Sequence, residues 1–247
     1  MSTVDASGYA PEWLGLRESA DAAARSVSLV DTLAPPTVVH DLGCGTGSMA
    51  RWLTARLPRA PRWVLHDQDP ALVRLAEASV PDATGWTGDV TRLTAEDLAG
   101  SSLVTASALL DLFTASQIRR LVAACAGARV PALLTLSVVG RVTITPEDPL
   151  DATVTAAFNT HQRRGGRLGP DAVAFAAEEF AAHGFTVRRA PSPWHLGPAD
   201  ALLIAAWFRG WGAAAAEEMS SPDLAAYRRR AIDTVTVEHE DLLALPG

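Results

Sequence analysis

An α/β fold built on a doubly wound, mostly parallel sheet is what this sequence predicts. Short apolar strands alternate with helical segments along residues 37–140, the pattern of a parallel sheet covered on both faces. A glycine-rich turn joins the first of those strands to its helix, where such sheets bind ligands. The 247 residues are 48% hydrophobic and 20% charged, enough to bury a substantial core.

The elements follow in order. Residues 11–33 read as helix, with Trp13, Leu14, Leu16, Ala20, Ala23, Ala24, Val27 and Val30 at near-helical spacing, and Pro35-Pro36 stops the pattern. Strands are expected at 37–42, 63–67, 84–90, 103–107 and 132–139, and helices at 48–57, 70–78 and 115–128. A further amphipathic helix spans 171–183 and ends at Gly184. Residues 185–189 and 202–208 read as two last strands with no room for a helix between them, so they pair antiparallel or are joined by an irregular loop. In the tail, 221–233 reads as helix, with Ser221 as N-cap, Pro222 in the first turn and arginines at 228–230 near its end.

Charge and cysteine count narrow the function. The 28 acidic residues outnumber 21 basic ones, all arginine, for a net charge of −7, which argues against a nucleic-acid-coating surface. Heavy use of alanine and the lack of lysine point to a GC-rich bacterial genome. Two cysteines, Cys44 and Cys125, make no disulfide framework. No apolar run reaches a membrane span and the start shows no signal peptide, so the expected location is cytoplasmic and no membrane partner is expected. No His/Cys/Asp/Glu cluster has metal-ligand spacing, so no metal is expected.

The densest chemistry is Asp41-Leu42-Gly43-Cys44-Gly45-Thr46-Gly47. Its G-x-G-x-G spacing lacks the third glycine of the dinucleotide fingerprint, and no lysine exists to complete a phosphate loop. The segment resembles the first motif of the class I S-adenosylmethionine-dependent methyltransferases. Three further segments resemble that family in the same order: Val64-Leu65-His66-Asp67-Gln68-Asp69-Pro70, Gly88-Asp89-Val90, and 103–111. The resemblance implies a Rossmann-like sheet of seven strands, the last antiparallel, with S-adenosylmethionine as cofactor and S-adenosylhomocysteine as product. It places Asp41, Gly43, Cys44, Gly45 and Gly47 around the cofactor, Asp67 with Gln68 at the ribose, Asp89 and Val90 at the adenine, Ser107 beside the methyl, and Arg17 or Arg25 at the carboxylate. The plainer readings are that Asp69 caps the helix at Pro70, that Asp89 caps the stretch before Leu93, and that His40 and His66 are packed sheet residues.

The acceptor side is less legible. Asp111, after the fourth strand, and His161 are candidate bases, with Thr114 competing as helix cap. Asn159 and Gln162 lie in an insertion where the family binds acceptors, and Tyr9, Trp13, Trp194 and His195 are candidate pocket walls. Trp207 reads as core, placed in the last strand. The division expected is a helical lid at 1–36, a cofactor domain at 37–209, and a helical extension at 210–247 packed on the core or on a second subunit in a homodimer. The expected activity is methyl transfer to an O, N or C atom of a small molecule. A non-catalytic cofactor binder, or a ribosomal RNA methyltransferase whose arginines converge on one face, remains an alternative.

Overall fold

The computed structural model describes residues 4–5 and 8–247, with side chains from residue 10 onward. Strands β1 (Val4–Asp5) and β2 (Gly8–Tyr9) form a small antiparallel ladder. Helix α1 (Pro11–Ala24) starts on Pro11, whose fixed φ suits a first turn, and ends where Arg25 turns to extended backbone. The short α2 (Val27–Val30) follows, so the helix expected over 11–33 is two helices.

The alternating region folds as its apolar pattern requires. Strands β3 (Val38–Leu42), β4 (Arg62–Asp67), β5 (Ala83–Thr87), β6 (Leu103–Ser107) and the first half of β7 (Ala132–Thr145) are parallel. Helices α3 (Ser48–Thr54), α4 (Pro70–Ser79) and α5 (Ala115–Ala128) connect them. The caps are explicit: Asp69 Oδ1 accepts from Ala71 N at 2.7 Å, and Thr114 forms a capping box with Gln117.

The remaining chain corrects three expectations. Beyond α6 (Asp151–Gln162), α7 (Ala172–Ala182), β8 (Phe185–Pro191) and β9 (Trp194–Leu196), the segment expected as a strand at 202–208 is helix α8 (Ala201–Ala215). Leu203, Ile204, Phe208, Trp211 and Ala215 are buried at helical spacing, and the alanine-rich run propagates the helix. Of the helix expected at 221–233, one turn forms, α9 (Leu224–Tyr227). The C-terminal stretch is no helical extension. It is β10 (Thr234–Pro246), a 13-residue strand lying between β7 and β8 and antiparallel to both. The sheet order is β5-β4-β3-β6-β7-β10-β8, with β9 on β10. The doubly wound sheet with an antiparallel last strand is therefore present, with that strand at 234–246.

Helix α1 packs Trp13, Leu16, Ala20 and Ala24 against an apolar cluster of Trp194, Leu196, Leu203, Ile204, Val235 and Val237. Both flanks thus bury their apolar faces on this chain's own sheet.

Candidate active site

Where β3, β4 and β6 end, the chain opens into a cleft of about 410 Å³. The glycine turn forms one wall. Gly45 sits at φ +54°, and a Cβ there would lie 3.1 Å from Leu14 Cδ1, so the turn and α1 approach more closely than a side chain allows. Gly45 N donates to Asp67 Oδ2 at 3.0 Å, and Asp69 N donates to Asp67 Oδ1 at 3.0 Å. Asp67 is nearly buried, and desolvation pushes its carboxyl up from the usual range. Gln68, Val90 and Asp89 line the opposite side, with Asp89 Oδ1 accepting from Thr91 N and Oγ1.

Asp41 lies beneath the turn. Its Oδ1 accepts from Thr105 Oγ1 at 2.7 Å, while Oδ2 is buried with no partner, and burial raises its pKa to about 7. Beside it, Arg25 is buried and donates through Nη2 to Ser48 and Ser107 Oγ, with Nε and Nη1 unpartnered. Cys44 faces the cleft, but burial drives its thiol pKa far upward, so it is no nucleophile. His40 and His66 are the packed pair expected: Nε2 of His66 lies 3.0 Å from His40 Nδ1 inside the sheet.

A second cavity of about 110 Å³ adjoins the first, and Arg17 and Ala108 line both. Asp21 accepts two bonds from Arg17, at 2.9 and 3.1 Å, and a third from Trp194 Nε1 at 3.0 Å. The guanidinium stacks on Trp194, 4.9 Å from its centroid, so an ion pair and an indole hold the partition between the cavities. Ala108 at φ +52° and Leu136 at φ +57° are strained non-glycine residues on the second cavity.

Trp13, Asp111, Asn159, Gln162 and Trp194 come together in that second cavity. Two candidates do not join them. His161 points toward α8, its Nδ1 3.8 Å from carboxylate oxygens of Glu217 and Glu218, because one helical step from Gln162 turns it to the other face of α6. His195 is exposed beside Thr236, since neighbours in β9 alternate faces and Trp194 takes the inward one. The side chain of Tyr9 lies outside the described residues.

Sequence reading missed Asp21, Trp207, Trp211 and His239. Trp207 lines the cavity from a helix instead of filling a strand core. His239 is buried in β10, its pKa lowered to about 3 by desolvation and then by the Arg17 charge. Its signal was the alternation Val235, Val237, His239, Asp241, legible once 234–246 is read as strand.

Residues 39–131 match the family model described as a methyltransferase domain. That stretch of the chain is a methyltransferase domain. No curated protein matches it in sequence. Among solved structures it is similar to a putative methyltransferase from Bacillus halodurans C-125, at TM-score 0.52 and 13% identity over 89% of this chain and 98% of that one. It is also similar to magnesium protoporphyrin IX methyltransferase from Synechocystis PCC 6803 with bound S-adenosylhomocysteine, at TM-score 0.50 and 13% identity over 95% and 84% of the two chains. A third is an O-methyltransferase family protein from Burkholderia thailandensis, at TM-score 0.51 and 15% identity, covering 95% of this chain and 57% of that one. At these identities the likeness is one of fold. The cleft fits S-adenosylmethionine: the glycine turn leaves space a Cβ would fill and Asp67 and Ser107 present polar groups to it, while the unpartnered Asp41 Oδ2 and Arg25 Nε and Nη1 lie behind its lining.

Proposed function

We propose that the chain moves a methyl group from S-adenosylmethionine to an O, N or C atom of a small-molecule acceptor. The observation that carries this reading is the pair of adjoining cavities with a shared wall at Arg17 and Ala108. The larger carries every cofactor-motif residue except Asp41 and Gly47, which support its floor and rim. The smaller is open and lined by aromatic and polar groups, where a binding-only protein would fill it with apolar side chains.

When bound, the cofactor supplies a methyl already made electrophilic by its sulfonium. The chain's residues then have to bind, orient and exclude water. Asp67, an acceptor-only carboxylate, suits two ribose hydroxyls. Gly43, Gly45 and Gly47 let the backbone pass close, and Asp89 with Val90 borders the adenine end. Arg17, Arg25 and Ser107 supply donors at the cofactor's carboxylate and reactive end. Asp111 stands on the acceptor side as the candidate base, with His161 set aside by its position.

The arginines support a small acceptor over RNA. Arg163 pairs with Asp171, Arg189 with Glu240, Arg230 with Asp151, and Arg164 with Glu217 and Glu218, which neutralises the clusters a phosphate backbone would need. Helix α1, tied to α3 by the Arg51–Glu18 pair at 2.7 Å, is proposed as the lid. Calorimetric titration with S-adenosylhomocysteine tests the reading: saturable one-to-one binding is expected, and no heat would refute it.

A further inference from the structure

The smaller cavity carries a specific polar imbalance. Asn159 Nδ2 donates to Gly140 O at 2.8 Å, which fixes the amide and leaves Oδ1 buried with no donor. Gly140 makes that approach feasible: at φ +74°, a Cβ there would sit 2.8 Å from Asn159 Nδ2. Gln162 Nε2 lies 3.5 Å from Asp111 Oδ2, and its Oε1 is likewise buried and unpartnered. Trp211 Nε1 is a buried donor with no acceptor, and His239, 4% exposed, leaves Nδ1 unpartnered. Each orphan carries an uncompensated desolvation cost unless a ligand satisfies it. The acceptors ask for donors, and Trp211 asks for an acceptor, so the matching group does both. A hydroxyl does, whereas an ammonium only donates and a carboxylate only accepts.

Shape sets the rest. Trp13, Phe158, Trp194, Trp207 and Trp211 line the cavity, and Trp207 and Trp211 stack at 5.2 Å. Its volume of about 110 Å³ is that of one ring, given that a dry cavity of roughly 150 Å³ takes benzene.

Resting on the methyltransferase reading above, we propose that the acceptor is a single aromatic ring bearing hydroxyl groups, held by Asn159 Oδ1 and Gln162 Oε1, with the Asp111 carboxylate receiving the proton of the methylated hydroxyl. The oxygen lone pair forms the new C–O bond as the S–C pair returns to sulfur. The sulfonium becomes the neutral thioether of S-adenosylhomocysteine, and the hydroxyl proton ends on Asp111. Burial raises the basicity of Asp111, opposed in part by its own backbone hydrogen bond and by the Arg17 and Arg167 charges. The other charged or titratable groups lining the cavity are Arg141, Glu238 and His239.

The test is a tryptophan-fluorescence titration of the protein loaded with S-adenosylhomocysteine, using catechol, toluene and benzoate as probes. Catechol is expected to bind at least tenfold tighter than either of the others, and Gln162→Met to abolish that preference while S-adenosylhomocysteine affinity is unchanged. Equal binding of the three probes, or none, overturns the acceptor class and leaves the methyltransferase reading standing. Failure to bind S-adenosylhomocysteine sinks both. With S-adenosylmethionine, wild-type protein is expected to methylate catechol above the toluene blank, and Asp111→Asn to bind catechol but lose at least a hundredfold in rate together with the acid limb of the pH profile. A wild-type rate at the blank, or an Asp111→Asn profile that keeps its acid limb, overturns the proposal.

Discussion

Asp67 and Asp41 show how two carboxylates of one motif set diverge by environment. Asp67 accepts from two backbone amides and lines the cleft. Asp67→Ala should weaken S-adenosylhomocysteine binding by about 1.5–3 kcal/mol, the scale of a hydrogen bond to a charged group, as read by calorimetry. Asp41 has one hydroxyl bond and an orphan oxygen, and its pKa stands near 7 against 3.8 for the free side chain. The folded state therefore holds a proton that the unfolded state has released between those values. This group's stabilising share is present at low pH and is lost as pH rises through 7, by at most about 1.4 kcal/mol per pH unit. Thermal unfolding of the ligand-free protein should show wild type losing stability relative to Asp41→Asn between about pH 4 and 7 and no further above that, since Asn keeps the acceptor for Thr105. His66 and His239, with pKa values lowered from 6.5 to about 4 and about 3, act the other way over an overlapping window, and their share cancels in the comparison with Asp41→Asn. Gly45→Val should abolish cofactor binding while circular dichroism stays helical, because the branched side chain fills the close approach to Leu14.

At the scale of elements, β10 is a structural member of the sheet. Leu242, Leu243 and Ala244 are fully buried, and both neighbours of the strand depend on it. Leu243→Ala should cost about 2–5 kcal/mol in urea unfolding, a loss out of scale for a surface appendage. The parallel strands and their helices were legible in the sequence because each apolar run was bounded by a proline, a glycine or a cap, as at Pro35, Gly43 and Asp69. The second half was not. In 201–215 a nearly unbroken apolar run hides its period, and it reads as strand until Trp211 and Ala215 extend the helical face. In 234–246 good helix formers, glutamate and leucine, sit in a strand, where burial between two neighbours overrides propensity. The cofactor loop was readable because glycine spacing is local. The smaller cavity was not, since it draws on α1, β7, α6, α8 and β10 at once.

Over the whole molecule, α1 closes both cavities from one side through Arg17, while its other face packs on the apolar cluster around Trp194 and Leu203. Beyond that face it is tied down by a few polar contacts, Glu18 to Arg51, Asp21 to Trp194 and Ala22 to Trp52, and opening it as a lid would break these together. Amide exchange over residues 11–24 should slow markedly when S-adenosylhomocysteine is added. Equal protection with and without it would make α1 permanent cladding.

The placement of β10 also governs how the protein is born. Until residues 234–246 are synthesised, the slot between β7 and β8 stands vacant. The nascent chain can form the glycine turn and its parallel strands, but it presents two open sheet edges that invite pairing with other chains. Val237, Glu238 and His239, which complete the smaller cavity, arrive with the same strand. A chain cut short before residue 234 would therefore carry its glycine turn and lack that wall of the smaller cavity. Such a product is a natural target for chaperones and proteases.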